Sequence, residues 1–151
     1  MAGAFTISGV SEFTATLKAM GVRANVATPI ALKAAAKTVE DRAKRNLELK
    51  SHSRGTRTPS APGEPPAKID GSLRDSFKTT MPNTIGPGMW TCTLYPDIIY
   101  AAIQEFGGLT GRGHRSRLPA RPYLKPALDA AIASGEFGAA FEKAWMRAVA
   151  P

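Results

Sequence analysis

Apolar side chains recur at Leu32, Ala36, Val39, Ala43 and Leu47, in steps of four, three, four and four. That is one stripe on a 3.6-residue period, and it predicts an amphipathic helix. Lys37, Glu40, Asp41, Lys44, Arg45 and Glu48 fall largely off the stripe, where water would solvate them. Thr28 is a natural cap for this helix, and Pro29 fits its first position, where the missing N–H costs nothing. A shorter helix is predicted over residues 11–20, stopped by Gly21.

Further along, the period changes. In LRDSFKTTM, Leu73, Phe77 and Met81 alternate with Arg74, Ser76, Lys78 and Thr80, as a half-buried strand does. The turn-rich string PNTIGPG follows, then MWTCTLY, rich in β-branched and aromatic residues. The three together predict a β-hairpin, with Cys92 a small hydrophobe on the Trp90–Leu94 face. Asp97 is the expected cap of a short helix, IIYAAIQEF, ended by Gly107-Gly108. LPARPYLKP reads as extended, because each residue before a proline avoids the α region. The C-terminal stretch reads as two short helices split at Ser134-Gly135, with Phe137, Phe141, Trp145 and Val149 forming a packing stripe.

Two stretches have no apolar period. Residues 51–71 hold Pro59, Pro62, Pro65 and Pro66 and read as a Pro-rich basic arm; residues 107–118 read as a Gly/Arg-rich loop. With 151 residues, one domain carrying these two excursions is expected. The fold class expected is α+β: a long N-terminal helix on a small antiparallel sheet, with short C-terminal helices and two long loops.

Composition narrows the chemistry. One cysteine excludes an internal disulfide framework, and two distant histidines, His52 and His114, make no zinc site. No nucleophile-elbow serine is present, and no Gly-Lys-Ser/Thr closes the glycine loop as a phosphate-binding loop would. No enzyme, cofactor or metal is therefore expected. No apolar run reaches the roughly 20 residues that span a bilayer. The opening MAGAFTISGVSEF lacks the basic start of a secretory leader, so a soluble protein made in a reducing cytoplasm is expected.

Two strings are more specific: PGEPPAKIDGSLRDSF (62–77), and YAAIQEFGG (100–108) continuing to RLPARPYLKPALDAA (117–131). Gly-x-Leu-Arg-x-Ser after a helix and a Pro-rich loop, then Tyr-Ala-x-x-x-Glu-Phe-Gly, then Ala-Arg-Pro-Tyr-Leu-x-Pro-Ala-Leu, resembles a family of small tailed-phage virion proteins. These are the head–tail joining proteins, also called neck, tail-completion or minor tail proteins. The resemblance covers roughly Thr28 to Ala131 and implies a non-enzymatic role where a filled head meets a long tail. It implies a ring, taken as a hexamer, around the DNA passage. The implied partners are other copies of the chain, the connector or stopper, and the tail terminator or tail tube; the implied location is the virion neck.

The motif residues are Gly71, Leu73, Arg74, Ser76, Tyr100, Glu105, Phe106, Gly107, Pro122, Tyr123, Leu124 and Pro126. Gly71 would let the backbone bend into the strand, with Leu73 opening its buried face and Arg74 facing out. Tyr100 and Phe106 are not on one helix face, so at least one is expected to meet another element or subunit. Tyr123 and Leu124 are expected core anchors between stiffening prolines. Glu105 sits at a helix C-terminus, where the dipole disfavours its charge. It is either solvated or ion-paired with an arginine such as Arg74 or Arg121.

The formal charge is +8, and the loops carry much of it. Between Phe106 and Leu128 there are Arg112, Arg115, Arg117, Arg121 and Lys125, plus His114, and no acid. Few aromatics interleave with them and no base-reading module is present, which suits phosphate contact or an acidic protein neighbour without sequence readout. Arg112, Arg115, Arg117 and Arg121 are thus the expected DNA-channel or docking contacts. The competing reading is a free-standing, sequence-non-specific nucleic-acid-binding protein.

Overall fold

The computed structural model describes residues 10–56 and 60–150. Residues 1–9, most of the opening segment read for a leader, and residues 57–59 of the arm fall outside this description. Helix α1 (Val10–Asn46) has 37 residues and so extends about 55 Å. It is followed by a one-turn helix α2 (Ser72–Asp75), strands β1 (Phe77–Thr79), β2 (Asn83–Gly86), β3 (Met89–Thr91) and β4 (Leu94–Pro96), and α3 (Ala101–Phe106). Then come β5 (Gly108–Thr110), β6 (Ser116–Leu118), α4 (Leu124–Ala133) and α5 (Glu136–Val149). The chain is α+β, with the long helix against small antiparallel sheets and short helices at the C-terminal end.

The two helices expected before residue 50 are one. Gly21 does not stop α1, and Pro29 lies inside it rather than at its start. Proline cannot donate to the carbonyl one turn back, and its ring crowds that carbonyl, at a cost of about 3 kcal/mol. Thr28 is not a cap either: its hydroxyl donates back to the Ala24 carbonyl at 2.8 Å. What offsets the proline is tertiary. Ala27, Ala31 and Ala35 are fully buried, followed on the same face by Val39, Ala43 and Leu47. The buried stripe thus starts earlier than Leu32, which is only half-buried.

Helix α5 makes the most extensive contact with α1. Alanines let the two backbones approach closely, and the Phe137, Phe141, Trp145 and Val149 stripe is half-buried. Arg42 sets the register: Nε and Nη2 reach the two oxygens of Glu136 at 2.8 Å, and Nη2 also donates to Ser134 Oγ at 2.9 Å. With the start of α5 at Arg42, α5 runs antiparallel to α1.

The expected hairpin forms, with changes. Leu73 and Arg74 lie in α2, not in a strand. Gly71, before them, has φ +87°, a left-handed backbone that a side chain resists, so the bend assigned to it is there. The hairpin has two ladders: β1 pairs with β4 near the core, and β2 pairs with β3 at the tip. Asn83 to Gly86, taken as turn, is strand, leaving a tight turn at Pro87-Gly88. Met81, expected inside, is largely exposed because the tip outruns the core. Cys92 is half-buried between the ladders, its thiol donating to the Thr80 carbonyl. Asp97 caps nothing; its carboxylate pairs with Lys78, and α3 starts only at Ala101.

The core gathers Val39, Ala43, Leu47, Leu73, Phe77, Ala101, Tyr123, Ala127 and Ala131, with Leu94, Ile98, Leu124 and Phe137 packed on it. Tyr123, 1% exposed, is the largest fully buried side chain among the described residues. Its ring meets Phe77 edge-on, with centroids 6.2 Å apart.

The alanine contact sets an expectation. Ala35→Leu should force α1 and α5 apart and cost about 1–3 kcal/mol. Ala19→Leu, on the exposed half of the same helix, should stay within about 0.5 kcal/mol of wild type. Chemical denaturation of both variants checks the contrast.

Candidate functional site: a basic hairpin on a buried joint

The Gly/Arg-rich stretch is not a plain loop. β5 and β6 pair antiparallel, Gly108 with Leu118, Leu109 with Arg117 and Thr110 with Ser116. A 3₁₀ turn over Arg112–His114 joins them. Residues 111–117 are all exposed. Arg112, Arg115 and Arg117 make no salt bridge, although ten link other charged residues among those described. Three unpaired guanidinium groups therefore stand on one projecting hairpin.

Arg121 does not belong with them. It is buried, its Nε donates to the Ser60 carbonyl at 2.9 Å, and its backbone N–H donates to the Gln104 carbonyl at 2.7 Å. Its role is to hold the arm. Ser60 is buried too, its hydroxyl accepting from the Ala67 amide at 2.9 Å, while Gly63 N–H donates to the Ala120 carbonyl. Lys68 N–H donates to the Lys50 carbonyl and His52 N–H to the Lys68 carbonyl, both at 2.8 Å, closing the arm at its base.

Glu105 is neither solvated nor paired with an arginine. It is 7% exposed and carries no salt bridge; Arg74 pairs instead with Glu48 and Asp75. The Glu105 carboxylate accepts three backbone N–H groups: Tyr123 at 2.8 Å and Leu124 at 3.0 Å on Oε2, and Lys125 at 2.8 Å on Oε1. These are the orphan donors at the start of α4, which every helix must satisfy somehow. The charge lies at the end of α3, where the dipole opposes it, and at the start of α4, where the dipole favours it. The second end wins because its N–H groups are in direct contact.

Of the other motif residues, Gly107 serves the same joint. A Cβ on Gly107 would lie 2.7 Å from the Ala120 nitrogen and 2.8 Å from the Leu118 oxygen, and its φ is +69°. Only glycine fits where the chain leaves α3 while its return strand passes. Asn46, at the end of α1, donates to the Tyr123 carbonyl at 3.0 Å. Ser76 bonds the Leu73 carbonyl, and its own carbonyl accepts from Asp97 N–H. Pro122 and Leu124 are half-buried beside Tyr123, while Pro126 is exposed. Tyr100 is partly exposed; Phe106 is 78% exposed and does not reach the core. So the expected site residues split: Glu105, Gly107, Arg121 and Tyr123 build a joint, and Phe106 and the three outer arginines face away from it.

Ser60 and Asn46 are joint residues that sequence reasoning missed. Neither lies in a pattern that marks it, since both act across more than 60 positions or on a backbone carbonyl. Among the described residues, no group of three His, Cys, Asp or Glu side chains could hold a metal ion, and no helix is long and apolar enough to cross a membrane. Comparison with protein-family models, with characterised proteins and with solved structures finds no match.

Burial, and then the nearby charge of Glu105, push the Tyr123 phenol well above its usual range. A raised phenol pKa favours the protonated folded form, so this stability is complete below about pH 10 and is lost as pH rises beyond it. Tyr123→Phe loses only a 3.4 Å bond to the Ala101 carbonyl. It should flatten the fall in stability above pH 10, measured by denaturation at pH 8 to 11. Glu105→Ala strands three N–H groups, of which that of Tyr123 is fully buried, and should cost at least about 1–3 kcal/mol. Glu105→Gln, which keeps an acceptor, should cost less in the same titration.

Proposed function

We propose that this chain is a structural subunit of a long-tailed bacteriophage particle, without catalytic activity, working in head–tail joining or tail completion at the neck. It works there as a ring, taken as a hexamer, around the DNA passage. Its neighbours are the connector or stopper on the head side and the tail terminator or tail tube on the other.

One observation carries this reading. Glu105, Gly107 and Tyr123 of the resemblance motifs are spent on a rigid joint that holds out a basic hairpin. Arg112, Arg115 and Arg117 sit on that hairpin without acidic partners, placed for phosphates or for an acidic surface. In a ring, each copy repeats them around one circumference. Contact with phosphate oxygens alone carries no sequence information, which suits a channel through which any packaged genome passes.

The same unpaired arginines favour a second reading, a free-standing non-specific nucleic-acid-binding protein. Single arginine clusters bind duplex weakly and lose affinity steeply with salt, whereas a ring multiplies the charge. A gel shift of the isolated chain on random duplex separates the two. The neck reading expects little binding near physiological salt, and the other demands tight binding.

In a phage that encodes this chain, deleting its gene should leave filled heads and detached or unstable tails. Normal infectious particles from the deletion would contradict the proposal. Arg112→Ser, Arg115→Ser and Arg117→Ser combined should leave folding and incorporation intact. Leakage of packaged DNA would place the hairpin toward the channel, and failure of tails to join would place it toward a neighbouring ring.

A further inference from the structure

The stripe on α1 does not end where α5 ends. Upstream of Ala27 and Ala31 it continues as Phe13, Leu17, Met20 and Ala24, in steps of four, three and four. This 3.5-residue spacing is that of a helix that pairs with another helix. Yet Phe13 is 64%, Leu17 50% and Met20 59% exposed. The antiparallel register anchored at Arg42 and Glu136 brings the last turn of α5 level with about Pro29. Nothing in the described chain covers the stripe beyond that point, and residues 11–23 are all exposed.

We propose that this half of α1 pairs antiparallel with the same half of a second copy of the chain, across a two-fold axis. The inference is independent of the neck reading. Three features on the helix favour a second copy over another partner. First, with Leu17 opposite Met20 of the other copy, Phe13 falls opposite Ala24, so a large side chain meets a small one at both ends of the seam. Second, Glu12 and Arg23 lie on the same edge of the stripe, and in an antiparallel pair like edges meet. In this register Arg23 of one copy lies within two residues of the position facing Glu12 of the other, twice by symmetry. Third, the incoming helix points the same way as α5 and takes up the stripe where α5 leaves it. Its residue 11 falls opposite residue 26, just past the end of α5, so among the described residues the pairing continues an existing packing surface.

The contact is isologous, the arrangement that closes as a dimer. With three large side chains per copy it is shorter than a standard interface of about 800 Å² per partner, so an affinity in the micromolar range is expected. Light scattering and sedimentation from about 1 to 200 µM should show monomer passing to dimer.

Leu17→Asp lies outside the core, so it should leave the circular dichroism and melting of the monomer unchanged while abolishing the dimer. Glu12→Arg and Arg23→Glu should each weaken dimerisation, by about two- to tenfold for two exposed pairs. The double variant E12R/R23E should restore it. A wild-type chain that stays monomeric at 200 µM would overturn the proposal. So would a dimer or larger assembly indifferent to Leu17→Asp, or a double swap that fails to recover affinity.

Discussion

Three backbone N–H groups at the start of α4 point into protein rather than water, and one carboxylate, that of Glu105, accepts all three. Leaving even one such donor buried and unmade costs about 1–3 kcal/mol, so this bond set fixes α3 against α4. The chain between them has no freedom left at its ends. Gly107 passes under the 118–120 backbone where no side chain fits, and Arg121 ties back to Gln104 and to Ser60. Residues 108–118 can therefore only leave as a projection, and the projection is the basic hairpin. Tyr123, placed by the same carboxylate, then fills the centre of the core against Phe77.

The rest of the molecule is a platform for this joint. Small residues on α1 let α5 lie close, and the stripe continues onto α4 and the core at Val39, Ala43 and Leu47. Charge follows a similar division. Acidic side chains are mostly engaged along α1, α2 and the first hairpin, as in Lys37 with Glu40 and Asp41, or Arg74 with Glu48 and Asp75. At exposed sites such pairs add little stability. They leave α1 with seven Lys and Arg against three acids, so the +8 excess is shared between that helix and the acid-free β5–β6 hairpin, where three arginines lie within six residues.

Periodicity exposed most of the helical architecture and part of the hairpin, since a stripe such as Val39, Ala43, Leu47 needs only local spacing. It failed where tertiary contact overrode a local signal. Pro29 marks a helix start in isolation, but the fully buried alanines on either side of it hold the helix through it. Ser72 to Asp75 alternate like a strand, but the left-handed turn at Gly71 directs them into a helical turn. Glu105 was visible as an anomaly, a negative charge at the wrong helix end. Its answer lay 18 to 20 residues away on another helix, and no spacing within α3 could reveal it. The arginines of the hairpin were legible as a cluster, but their separation from Arg121 was not, because burial is decided by the joint.

Amide hydrogen exchange tests the central claim directly. If the Glu105 carboxylate is the joint, the amides of Tyr123, Leu124 and Lys125 exchange as slowly as those of α1 near Val39 and Ala43. In Glu105→Ala they should become fast, while the α1–α5 contact keeps its protection. Fast exchange of those three amides in the wild-type chain, or unchanged protection in Glu105→Ala, would contradict the account.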